Sequence, residues 1–75
     1  MEMGTEYDAN KDQIIAGIKV PKGTVKRLSF NEKNGYLAYM DNNGKERGHY
    51  LNTDSGRTEF TRWLEREKTK DQLTL

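Results

Sequence analysis

The chain has 75 residues, with 13 Lys and Arg against 12 Asp and Glu, a formal net charge of +1, so it makes one small, nearly neutral domain. At this length folding removes only about 60% of the unfolded chain's surface from water, so the core is small and the architecture simple. The lack of cysteine excludes disulfides and thiolate metal sites and suits a reducing cytoplasmic compartment, and no apolar run approaches the ~18 residues of a membrane span.

Residues 1–11 carry Glu2, Glu6 and Asp8 with little periodicity, and are expected to form a flexible acidic arm, Tyr7 being the residue placed to fold back. A single β-rich domain is expected over 12–69. QIIAGIKV (13–20) is β-branched and ends at Pro21, which cannot donate to a ladder, so it reads as a strand; one helical turn over 10–16 capped by Asn10 is the alternative. GTVKRLSFN, GYLAYM and ERGHYLN then read as three strands. Asn34-Gly35 and Asn43-Gly44 separate them and suit two-residue hairpin turns in which both residues have positive φ. Alternation in GYLAYM puts Leu37 and Tyr39 on the core side, with Leu28, Phe30 and Leu51, and turns Tyr36, Ala38 and Met40 outward.

After Leu51 the pattern changes. Phe60, Trp63 and Leu64 fall at i, i+3 and i+4, which predicts a helix over about 56–69 that anchors on the sheet through this face. Asp54 or Ser55 is the expected N-cap, Arg57, Arg62 and Arg66 are left for solvent, and 70–75 is expected to be a disordered tail. The fold class is therefore α+β and β-rich. A small antiparallel curled sheet or partly open barrel of about four strands, like the OB and SH3 barrels, carries one C-terminal helix.

GTVK (23–26), FNEKNGY (30–36) and, more loosely, NGKERGHY (43–50) stand in the order and near the spacing of a cold-shock domain. Over about residues 22–51 the chain resembles this family of oligonucleotide-binding barrels. It departs in carrying two extra residues between GTVK and FN, and a helix where the family has its last two strands. The resemblance implies non-catalytic binding of single-stranded RNA or DNA.

The residues carry a compatible chemistry of their own. Lys22, Lys26, Arg27 and Lys33, joined by Arg47, would meet a phosphate backbone, and Tyr36, His49 and Tyr50 offer flat rings for base stacking. Tyr36 and Tyr50 read equally as ordinary cross-strand partners. His49 has no nucleophile in a recognisable constellation, Asp41 and Glu46 read as solvated carboxylates across a turn, and no phosphate-loop pattern occurs, so neither catalysis nor a cofactor or metal is expected. The rival is a small protein-binding module, an adaptor or inhibitor of a larger enzyme working through an edge strand, with homodimerisation through the same edge as a variant.

Overall fold

The three central strands, the helix and their order are as the alternation predicts. A computed structural model describes residues 4–73. In chain order the elements are β1 (Thr5–Tyr7), β2 (Gln13–Ile15), β3 (Ile18–Val20), β4 (Arg27–Asn31), β5 (Tyr36–Met40), β6 (Glu46–Tyr50) and α1 (Asp54–Leu73). They form an antiparallel four-stranded sheet in the order β1-β4-β5-β6 and a separate β2-β3 hairpin, neither closed into a barrel. No helix among the described residues is long and apolar enough to cross a membrane.

Both Asn-Gly pairs turn the chain, but not in the expected way. Only the glycines take positive φ, +75° at Gly35 and +84° at Gly44. The Gly44 N–H donates to the Asp41 carbonyl and the Asp41 N–H to the Lys45 carbonyl. This is a type I turn closed by a left-handed glycine, not a two-residue type I′ turn. The preceding acidic residue explains the choice: one Asp41 carboxylate oxygen accepts the N–H groups of Asn43 and Lys45, both at 2.9 Å, which holds the wider loop. Asn31 acts similarly before Gly35, accepting the Lys33 N–H at 3.0 Å.

The true two-residue turn lies where a continuous strand is expected. Residues 13–20 fold back on themselves, pairing Ile15 with Ile18 and Gln13 with Val20. Ala16 and Gly17 make the turn with φ of 50° and 81°. A left-handed alanine costs about 1–2 kcal/mol; here the Arg57 guanidinium holds the turn, donating to the Ala16 carbonyl at 2.8 Å. GTVK is likewise a turn leading into β4, with the Thr24 N–H donating to the Pro21 carbonyl, although Val25 reaches the core.

Thr5–Tyr7, expected within the arm, pairs with β4 through Thr5↔Phe30, Glu6↔Ser29 and Tyr7↔Leu28, and Tyr7 packs against the core. Three residues of mixed polarity carry no pattern of their own; the pairing is made by the edge that β4 offers. Glu2 of the expected arm lies outside the described residues, as do Thr74 and Leu75 of the expected tail, while 70–73 continue the helix.

Burial follows parity. Leu28 and Phe30 of β4 and Leu37 and Tyr39 of β5 point to one side, where Phe60, Trp63 and Leu64 of α1 meet them. Ile15, Val20 and Leu51 close the ends of this layer. Tyr39 is its hub, with ring centroids 4.6 Å from Trp63 and 5.4 Å from Phe60. The helix begins two residues before the expected start because Thr53 is its N-cap, its hydroxyl accepting the Gly56 N–H at 3.1 Å. Asp54 instead adds a favourable negative charge to the first turn.

Candidate functional site

The four-stranded sheet has one side under the helix and one open to solvent, and the register sets three rows across the open side. Asn31, Tyr36 and Tyr50 form one row, Ser29, Ala38 and Gly48 the next, and Arg27, Met40 and Glu46 the third. Glu6 extends the middle row onto β1. The small middle row leaves a shallow depression of about 410 Å³, with Tyr36 and Met40 among its walls.

Tyr36 and Tyr50 share this face as expected. Their rings meet edge to face with centroids 4.9 Å apart, and they are 37% and 51% exposed. Tyr36 leans over Gly48 so closely that a β-carbon there would run into its hydroxyl. It is thus both a surface ring and a cross-strand partner covering a glycine.

The expected cations do not gather around these rings. Arg27 is on the same face, but four residues away along the strands, or about 13 Å. It pairs with Glu6 at 3.3 Å, both side chains being well exposed, so the pair adds little stability. Lys33 stands in the β4–β5 turn near the tyrosine row, and Lys26 just before β4. Lys22 lies beyond β3, its N–H donating to Asp12, and lines a separate cleft with Lys19 and Lys68.

Arg47 and His49 lie on the helix side, by the same alternation that turns Tyr50 outward. The expectation that His49 joins Tyr36 and Tyr50 in one stacking surface is therefore corrected. His49 Nε2 lies 3.0 Å from the Tyr39 hydroxyl, and its ring stacks on Tyr39 at 5.7 Å and approaches Phe60 at 5.9 Å. On its other side Nδ1 is 3.8 Å from the Glu59 carboxylate. Burial pushes the Tyr39 hydroxyl far above the usual phenol range, so it stays protonated.

Asp41 is the second correction. It is buried at 4% exposure, and its second carboxylate oxygen accepts from Arg47 Nε at 3.3 Å. The Lys45 N–H foremost, with Arg47 and the Asn43 N–H, holds its carboxyl below the usual range against the opposing effect of burial. It is a structural anchor for the turn and for Arg47. The motif Asp-x-x-Gly, acid first and left-handed glycine fourth, is the sequence signal for this role.

A groove of about 840 Å³ runs between β6 and the flank of α1, lined by Arg47, His49, Arg57, Arg62, Trp63 and Arg66 with Glu59 and Glu65 among its acids. The spacing of Arg62 and Arg66, four apart on a helix, is the signal that places them on one flank. Among the described residues no three His, Cys, Asp or Glu side chains are placed to hold a metal ion. Comparison with protein families, with curated proteins and with solved structures returns no match to this chain. The likeness to cold-shock domains thus rests on the quoted motifs alone.

Proposed function

We propose that this chain is a non-catalytic binding module for a protein partner, with the outward sheet face around Tyr36 and Tyr50 as its contact surface. A cysteine-free chain suits work in a reducing cytoplasm. The observation that carries the proposal is the tyrosine pair itself, exposed on a rigid strand pair beside the depression over Ser29, Ala38 and Gly48. Aromatic anchors next to a small pocket, with charges of both signs at the rim, are what protein interfaces use. The charged residues lining the depression are Glu6, Glu46, Arg27 and Arg47, which sum to zero and give a phosphate backbone no net attraction.

Single-stranded nucleic acid is the other reading of the same rings, and the separation of His49 from them counts against it. Two measurements decide. A photoreactive phenylalanine at position 50 is expected to capture a discrete protein from the cell of origin. The same group at Ile14, exposed on the β2-β3 hairpin, is expected to capture none. Tyr50→Ala should then weaken the purified complex about tenfold, as loss of an aromatic anchor does. If position 50 captures nothing, and a labelled single strand binds with a salt slope of about −0.7 per phosphate, the protein reading gives way to the nucleic-acid one.

A further inference from the structure

We propose that the groove between β6 and α1 receives an extended acidic segment of a partner protein, added as a further strand at the β6 edge. This rests on the reading of the chain as a protein-binding module and names the chemistry of one partner segment, on the face opposite Tyr36. The phase of the ladder comes first. Asp41 N–H donates to Lys45 and Leu51 N–H to Gly35, and the register between them puts Arg47 opposite Tyr39 and His49 opposite Leu37. Those four β6-side residues spend their backbone groups on β5, so Glu46, Gly48 and Tyr50 direct theirs to the open edge. The Tyr50 carbonyl is taken by the Thr53 hydroxyl at 3.2 Å. The N–H and C=O of Glu46 and Gly48 are left facing outward in a row.

The charge beside that row is the second observation. Arg47, Arg57, Arg62 and Arg66 face Glu59 and Glu65 in the groove, a formal excess of two positive charges. Arg47 is held by Asp41, and Arg57 by the Ala16 and Leu51 carbonyls. Arg62 and Arg66 make no hydrogen bond or ion pair among the described residues. A strand laid on β6 turns alternate side chains to this flank, so carboxylates at every second position meet the arginines. The intervening side chains lie beside Glu46 and Tyr50 on the outward face, where apolar groups fit better than acids.

The same features select against other occupants. A phosphate backbone could meet the arginines but has no amide row to pair with Gly48. The groove's rings, Trp63 at 5% exposure and the His49 ring under the helix, are not open for stacking. A second copy paired through its own β6 would bring Arg47 against His49 and helix arginines toward helix arginines, which is repulsive.

The test uses the full chain and a labelled peptide of alternating glutamate and valine. Binding is expected, with Arg62→Glu and Arg66→Glu each weakening it about tenfold while circular dichroism confirms the fold. N-methylating the peptide at alternate amides should abolish binding in one parity and spare it in the other, since only one set of amides faces β6. On binding, amide exchange should slow at Glu46 and Gly48, with Arg47 and His49 already protected. No binding, equal binding of both methylated peptides, or preference for an oligo-uridine strand overturns the proposal. Failure of the peptide with capture at position 50 intact removes the groove alone. Loss of that capture with peptide binding intact removes the outward tyrosine face instead.

Discussion

His49 and Tyr50 are adjacent in the chain and belong to different surfaces. His49 is wedged between Tyr39 and the helix, while Tyr50 stands half in water against Tyr36. All three central strands divide this way: large apolar or hydrogen-bonded side chains on one side, and on the other the tyrosine row, a small middle row and the row of Arg27, Met40 and Glu46. Side-chain direction in a strand is a matter of parity, and parity outranks chemical similarity in deciding which residues can act together. Rings and cations that look like one cluster along the sequence are sorted onto two faces.

Substitutions on the two sides should therefore behave differently, and the largest contrast is in stability. Phe60→Ala, at a fully buried position, is expected to cost about 3–5 kcal/mol. That is enough to unfold much of so small a domain, and chemical denaturation would read it. A loss under about 1 kcal/mol would mean the helix is not the sheet's main cover. Gly48→Val attacks the outer face from within. Its side chain must displace the Tyr36 ring, and a cost of about 1–3 kcal/mol is expected. Pairing it with Tyr36→Ala should recover part of the loss, a coupling a double-mutant cycle would measure.

Acid tests the buried side of the molecule through Asp41. Asp41 has its pKa lowered on folding, so its contribution is complete above the usual carboxylate range and is lost as pH falls through the lower folded value. Asp41→Asn should flatten the acid limb of a pH–stability curve. An acid limb as steep in that variant as in the parent would dismiss the anchoring role. Tyr39→Phe leaves His49 Nε2 without its partner and is expected to cost about 1 kcal/mol. Smallest of all is Tyr50→Ala, expected within about 0.5 kcal/mol of the parent in thermal melts. A large loss there would make the outward pair a structural device rather than a contact surface.

What the sequence discloses and withholds follows the same physics. The core side of β5 and the Phe60–Trp63–Leu64 stripe are plain because burial imposes a period, and each period is carried by several residues. The β2-β3 hairpin is hidden because its turn uses Ala16, a residue with no preference for positive φ, supported by an arginine far along the chain. The Asn-Gly turns are found at the right places with the wrong geometry, since Asp41 and Asn31 decide the loop width through side-chain bonds that dipeptide preference ignores. β1 is invisible because its three residues gain their conformation only from β4. Of the candidate site, the outward face shared by Tyr36 and Tyr50 is legible from alternation. The arginine flank of α1 is missed because charged helix residues read by default as solvated.

The contact between Arg57 and the Ala16 carbonyl joins residues 41 apart. A nascent chain emerging from a ribosome has its first hairpin out early, yet the turn lacks its arginine clamp until the start of the helix follows. Maturation of this protein is then expected to end in a late event, with the first hairpin waiting on the helix for its last contact. Truncation just before Arg57 should leave a chain with no stable fragment to rescue.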